Sequence, residues 1–385
     1  MTPISRKRWL ILSTVHARND TRIVLKEARS LSRISGDLTL AFADGLGDSC
    51  TDFGVPIHDL RVKKGSRILR AIMGNVRAYR FAREGGYGVV HFHDPELLVT
   101  GLLLRWKGHV VIYDVHEDVP GDILTKDWIP GMLRRPISFL VDRMETFCDR
   151  QLSAIVAATP TIARRFSPGK TVVVQNFPIE QELESEFSWS GKRTEISYIG
   201  GMSAQRGLRE LVQAMALTRS AVRLNLGGSF QPKEFEGELG RLGGWDKVSP
   251  LGFLSRPEVK AVLARSMAGL VTLHPVPTFL ASLPIKMFEY MSAGLPVIAS
   301  DFPLWREIIE GNDCGLCVDP LDPQAIADAI DHLVEHPEVA RRMGENGRKA
   351  VVERYNWAVE EKKLIALYER LPGGGKSDSM ADIAQ

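Results

Sequence analysis

Short runs rich in Val, Ile and Leu alternate with helical stretches along nearly the whole chain, and this alternation leaves few folds open. In the first half, Trp9–Thr14, Leu38–Phe42, the runs beginning at Val89 and Val110, Ser153–Ala158 and Val172–Gln175 read as strands. In the second, Glu195–Ile199, Leu224–Gly228, Ala268–Leu273 and Val297–Ala299 do the same. Strands separated by helices need crossover connections, which implies an α/β fold with parallel, doubly wound sheets. Ligand sites in such sheets are built on the loops at the carboxyl ends of the strands. A length of 385 residues suits two such domains. The polar, irregular stretch 178–193 places their boundary near Asn176, giving domains over 1–176 and 177–355. A helix follows over 356–371, and 372–385, glycine-rich and then polar, reads as a disordered tail.

The stretch Pro284–Ser300 carries charge in unusual places. Pro284 suits a first helical position, Ile285, Phe288 and Met291 share a face, and Gly294 with Pro296 stops the helix before the strand at Val297. Lys286 in the first turn opposes the helix dipole unless an anion sits at that helix end, where backbone N–H groups and the ammonium would share it. Glu289, one turn deeper, is placed to accept hydrogen bonds from sugar hydroxyls. A solvated Lys–Glu pair is the alternative from this helix alone. Earlier in the same half, Gly200-Gly201-Met202-Ser203-Ala204-Gln205-Arg206-Gly207 forms a glycine-bounded loop before a helix at Arg209–Leu217. Its glycines permit close approach of backbone to a ligand, and Arg206 with the helix N-terminus suits a diphosphate.

Pro284-x-Lys286-x-Phe288-Glu289-Tyr290-Met291-x-Ala293-Gly294-x-Pro296-Val297-Ile298-Ala299-Ser300 resembles the donor-site signature of GT-B glycosyltransferases, specifically the large retaining family (group 1, family 4-like) that builds bacterial polysaccharides and glycolipids. The resemblance extends to about residue 370 and implies two facing Rossmann-like domains, with the last helix crossing back to the first. It implies that Gly200, Gly201, Arg206, Phe253, Leu254, Ser282, Leu283, Pro284, Lys286 and Glu289 serve the donor, backbone groups near Phe253-Leu254 holding the base. Two departures stand out. Ala281 occupies the position of the family's first glutamate, and Gly201 and Arg206 replace an arginine and a lysine that serve the diphosphate.

In the N-terminal half, His16-x3-Asp20-x-Arg22 follows the first strand, His93-Asp94-Pro95-Glu96-Leu97 the strand at Val89, and Asp114-x-His116-Glu117 the strand at Val110. All three segments match the same family. The resemblance implies that His16, Asp20, Arg22, His93, Asp94 and Glu117 face the acceptor and that His116 contacts the transferred sugar and the reaction centre, making His116 and Glu289 the catalytic candidates. Read without the family, Asp20 is equally a helix cap, and either histidine alone could be a buried structural one.

Residues 1–175 carry 26 Lys and Arg against 18 Asp and Glu, a net +8, while the remainder carries 23 against 29, a net −6. The first half should therefore favour an anionic partner. Eight basic residues and no acidic one lie in Arg61–Arg83, interleaved with Ile68, Leu69, Ile72, Met73, Val76 and Tyr79 at roughly helical spacing. A basic amphipathic helix of this kind suits an anionic membrane surface; packing of its apolar face on the sheet is the alternative. No nucleic-acid motif accompanies the charge. No run is apolar enough to span a bilayer, and the N-terminus lacks a signal-peptide pattern, so a cytoplasmic protein, peripheral on the inner face of the membrane, is expected. Cys314-x-x-Cys317 has no second pair or nearby histidine, and no Asp-x-Asp pair is present, so no metal is expected.

The expectation is a metal-independent enzyme with no cofactor beyond its donor substrate, a nucleotide diphosphate sugar. It would move the sugar to a hydroxyl acceptor, lipid-linked, in polysaccharide (including exopolysaccharide) or glycolipid synthesis. Retention follows from the resemblance alone. A GT-B sugar-nucleotide epimerase and a non-catalytic partner subunit are the other readings.

Overall fold

The computed structural model describes residues 8–62, 66–126, 129–179, 189–280 and 282–372. Lys63 and Lys64 of the basic segment, Ala281 and nearly all of the C-terminal tail lie outside these. The chain forms two compact units, one running to Asn176 and resuming at Val359, the other spanning Phe177–Ala358.

The first unit holds β1 (Arg8–Ser13), β2 (Leu38–Phe42), β3 (Ser49–Cys50), β4 (Pro56–Asp59), β5 (Tyr87–Phe92), β6 (Val110–Val115), β7 (Ala154–Ala157) and β8 (Thr171–Val173). They form one sheet in the order β3-β4-β2-β1-β5-β6-β7-β8, parallel except for the β3–β4 pair. Every residue of β6 is buried, as expected of a strand covered on both faces. The helix after β1 winds as a π-helix over Thr21–Ala28 and continues as α1 (Arg29–Ser32). Helices α2 (Arg67–Glu84), α3 (Leu98–Trp106), α4 (Val119–Thr125), α5 (Gly131–Gln151) and α6 (Pro160–Ala163) follow. Thr159 caps α6 by accepting from the Ile162 N–H, with Pro160 in the first turn.

The second unit holds β9 (Glu195–Ile199), β10 (Arg223–Gly227), β11 (Val248–Gly252), β12 (Ala268–Val271), β13 (Val297–Ser300) and β14 (Gly315–Val318), in the order β11-β10-β9-β12-β13-β14. Its helices are α7 (Leu208–Leu217), α8 (Phe235–Leu239), α9 (Arg256–Arg265), α10 (Pro277–Leu280), α11 (Ile285–Ser292), α12 (Pro303–Ile309), α13 (Pro323–Glu335) and α14 (Pro337–Glu353). The last helix, α15 (Trp357–Arg370), packs on the first sheet, with the Tyr368 ring 4.8 Å from that of Trp9.

In each sheet the chain winds outward from one central strand, then returns to its other side. The order therefore reverses between β1 and β5, and again between β9 and β12. Loops diverge at such switch points and open a crevice at the carboxyl ends of the strands. Both groups of candidate residues lie there.

Candidate active site

In the second unit, the loop after β9 and the N-terminal end of α11 meet at the switch point. Tyr290 is buried in α11, and its hydroxyl oxygen accepts the Ile199 N–H at 2.8 Å and so ties the helix to the end of β9. Tyr198 points the same way and donates to the Gly201 carbonyl at 2.9 Å. Gly207 follows Arg206 in the left-handed region (φ 72°), and a Cβ there would lie 1.8 Å from the Thr272 carbonyl oxygen, so only glycine lets this loop close on β12. Gly228 (φ 139°) similarly lets the end of β10 approach the Gly200 carbonyl, which a Cβ would meet at 2.0 Å.

Lys286 lies in this crevice, 8% exposed, with its ammonium 3.5 Å from the centre of the Tyr198 ring. Among the described residues its Nζ has no hydrogen-bond acceptor. Burial pushes its pKa far below the usual lysine range, the nearby Arg206 guanidinium pushes the same way, and Glu289 opposes them. Arg206 is half-buried, its guanidinium carbon 5.9 Å from the Phe279 ring centre. Two cations thus face one crevice with too little negative charge between them. Glu289 is held elsewhere: its Oε1 accepts from Arg256 Nη1 at 2.7 Å.

The approach to α11 is fixed by its backbone. The Ser282 carbonyl accepts from Trp305 Nε1 at 2.8 Å, and its hydroxyl donates to the Phe279 carbonyl at 3.1 Å. Pro284 is the N-cap, not the first helical residue: its ψ of 125° is extended, and the helix begins at Ile285. Leu283 and Leu254 pack against the apolar core of this unit, and Phe253 is 84% exposed beside them. His274, which sequence reasoning passed over, lies in the loop after β12, with Nε2 3.0 Å from Glu210 Oε2.

In the first unit the loops after β1, β5 and β6 converge because these strands are neighbours. His16 and His116 are their half-buried members, with ring centres 4.9 Å apart. His16 Nδ1 lies 2.9 Å from Asp94 Oδ1, a hydrogen bond that raises the imidazole's pKa. Glu117 is exposed, and Asp20 accepts from the Ile23 N–H as a helix cap.

Three residues expected at the acceptor lie beneath this surface instead. Asp94 is buried and accepts from Ser13 Oγ and from the Thr14 and Val15 N–H groups. Arg22 is 3% exposed and fully engaged, donating to Asp114 and to the Val174 carbonyl while its Nε lies 2.9 Å from Glu27. His93 is buried, with Nδ1 3.0 Å from His116 Nε2. All three are buried and shape the floor, Arg22 and Asp94 hydrogen-bonded within the protein, while His93 Nε2 has no hydrogen-bond partner among the described residues. Asp114, Glu27 and His91 complete this floor, and sequence reasoning did not single them out as a group.

The charges in the floor balance narrowly. Burial would raise the Asp114 carboxyl, but Arg22 holds it far below the usual range, whereas burial and then Asp114 push Glu27 well above it. Burial likewise lowers His93 strongly and takes His91 and His116 down to about 4, against the pull of Asp114. Glu27, His91, His93 and Asp114 each offer a ligand atom within 4.8 Å of the others, a spacing that would also suit a small cation. Arg22, lying on both carboxylates, already supplies positive charge at that place.

The second unit matches the family model described as glycosyl transferases group 1 over residues 180–350. The phosphatidyl-myo-inositol mannosyltransferase of Mycobacterium tuberculosis is 29% identical over 311 residues, covering 78% of this chain and 79% of that protein. The MMP alpha-(1->4)-mannosyltransferase of Mycolicibacterium hassiacum is 25% identical over 304 residues, 75% of this chain and 72% of that one. Among solved structures, sucrose-phosphate synthase from Thermosynechococcus elongatus superposes with a TM-score of 0.74 at 19% identity, covering 94% of this chain and 98% of that one. Residues 180–350 of this chain are similar to group 1 glycosyltransferases, and the chain has the GT-B fold. Anabaena HepE, solved in complex with UDP-glucose, shares the fold with a TM-score of 0.71 at 16% identity over 95% of this chain and all of that one.

Proposed function

We propose that this glycosyltransferase moves a mannosyl or glucosyl group from a nucleoside diphosphate sugar to a hydroxyl on a lipid-linked acceptor, with retention at the anomeric carbon. The observation that carries the donor assignment is Lys286, a buried ammonium without an acceptor beside a second cation, Arg206. A buried unpaired charge is costly, and a diphosphate entering the crevice supplies the missing anion. In the transition state the same groups and the N–H groups opening α11 stabilise the departing diphosphate, a role that needs no metal. Glu289 takes hydroxyls of the donor, and Phe253-Leu254 flank the base. His116, a neutral ring at working pH, contacts the transferred sugar, and His16 and Glu117 lie toward the acceptor.

The M. tuberculosis relative is named for phosphatidyl-myo-inositol, which supports a lipid-borne hydroxyl here. The M. hassiacum relative is named for an alpha linkage, and common hexose donors are alpha-linked, which supports retention. The exposed Leu69, Ile72 and Val76 of α2, with Arg80 and Arg83, support contact with an anionic membrane. The decisive experiment supplies UDP-, GDP- and dTDP-linked glucose and mannose, first alone and then with phosphatidylinositol and polyprenyl-diphosphate acceptors. The reading expects a glycolipid from one donor only when acceptor is present. Interconversion of the donor sugar without acceptor would instead identify an epimerase.

A further inference from the structure

Helix α5 carries its apolar stripe on the outside. Glu145, Cys148 and Asp149 are buried against the unit, whereas Met132, Leu133, Phe139, Leu140 and Phe147 are exposed, Met132 to 85%, Phe139 to 63% and Leu140 to 68%. At 100° per residue these five, with exposed Pro136, fall within about one third of the helix circumference. Soluble helices place such a stripe inward, so this one is built to meet an apolar phase.

Charge on the same helix identifies that phase. Its exposed charged residues, Arg135, Arg143 and Arg150, are all cationic, and the Arg143 guanidinium carbon lies 5.2 Å from the Phe139 ring centre. Two of its three acidic residues are drawn inward, Glu145 pairing with Arg165 and Asp149 accepting from Ser167, and the partly exposed Asp142 lies against Arg165 and Arg143. The stripe also continues sideways. Helix α3, packed between α2 and α5, exposes Val99, Leu103 and Trp106, and a groove of about 540 Å³ between α2 and α3 is lined by Ile72, Val76, Val99 and Leu103 together with Arg80, Arg83, Glu84 and Glu96. Aliphatic and aromatic side chains on three adjacent helices, interspersed with arginines on α2 and α5, match the boundary between acyl chains and anionic headgroups.

We propose that α5 lies flat on an anionic bilayer and inserts Met132, Leu133, Phe139 and Leu140 among the acyl chains, while arginines of α5 and α2 meet lipid phosphates. This goes beyond the electrostatic contact assigned to α2, since it makes apolar insertion by a different helix the main anchor. It extends the membrane part of the proposed function and does not depend on which sugar is moved.

The test compares full-length wild type with Phe139→Ser/Leu140→Ser and with Arg80→Gln/Arg83→Gln in flotation with phosphatidylglycerol-containing and pure phosphatidylcholine vesicles, at about 0.1 M and about 1 M salt. The substituted side chains are exposed, and thermal melts together with donor binding verify the fold. Wild type should float with the anionic vesicles and keep a measurable fraction at high salt. The serine pair should lose roughly tenfold or more of its partitioning at both salt concentrations. The glutamine pair should lose binding at low salt only. Partitioning of the serine variant equal to wild type would overturn the proposal. So would a wild type that ignores vesicles and is a dimer in solution, converted to monomer by the serine pair, since the stripe would then belong to a second copy. Donor binding that survives in the serine variant separates failure of this proposal from failure of the transferase reading.

Discussion

The Lys286 ammonium stands 3.5 Å from the centre of the Tyr198 ring, buried and without a hydrogen-bond acceptor among the described residues. The ring face gives a cation a weak electrostatic partner, which holds the side chain in place without satisfying it. An anionic ligand completes the arrangement.

Stability should report this directly. Lys286 has a folded pKa below its unfolded value, so the unfolded chain binds more protons between the two, and the unliganded protein should gain stability as pH rises through that window. Lys286→Met removes the uncompensated charge and should stabilise the unliganded protein by roughly 1–4 kcal/mol near neutral pH. Urea denaturation of both proteins without nucleotide checks this; a variant less stable than wild type would show that the ammonium is satisfied already.

Glu289 and Arg256 form a pair that can be opened from one side. Glu289→Ala should weaken donor binding about tenfold, the loss of one charge-assisted hydrogen bond. Arg256→Ala, which only frees the carboxylate, should leave binding within about threefold of wild type. Calorimetric titration with the accepted nucleotide sugar measures both. Equal losses in the two variants would mean that Glu289 serves Arg256 and not the donor.

The buried floor of the first unit predicts a pH profile. His116 is lowered to about 4, so the ring is neutral above that value and charges only below it. The acid limb of kcat attributable to it should fall near pH 4, not near 6.5. Asp114→Asn leaves Arg22 buried without its main partner and should cost about 3–5 kcal/mol of stability, measured by denaturant titration. His116→Ala, at a half-exposed position, should lower kcat by roughly a hundredfold or more with little change in Tm.

Much of this was legible in the sequence, for physical reasons. Buried parallel strands must be continuously apolar, so β1, β5, β6 and β9 stand out, and the loops that follow them are where ligands bind. The cap of α9 was legible as well: Ser255-x-x-Glu258 has capping-box spacing, and Glu258 accepts from the Ser255 N–H at 2.7 Å. Depth was not legible. Arg22, His93 and Asp94 share loops with surface residues, and only tertiary packing decides that they point down, Arg22 reaching Asp114 across 92 positions. The pairing of Arg256 with Glu289 is likewise a contact between helices that no local pattern encodes. The stripe of α5 has the periodicity of a core-facing helix, and periodicity alone cannot say which side of a helix meets the core.

Metal independence makes a further expectation. With Arg206, Lys286 and the start of α11 meeting the diphosphate, turnover should persist in excess EDTA. Loss of activity restored by Mg²⁺ or Mn²⁺ would contradict it.

The most direct measurement is the affinity of wild type, Lys286→Ala and Arg206→Ala for the nucleoside diphosphate, with calorimetry repeated in buffers of different ionisation enthalpy. Each substitution should weaken binding roughly ten- to hundredfold, since each removes one charged partner of the diphosphate. Wild type should take up more protons on binding than Lys286→Ala, because the anion raises the depressed pKa of Lys286. Unchanged affinity in both folded variants, with no more proton uptake by wild type than by Lys286→Ala, would contradict the assignment of this crevice to the donor.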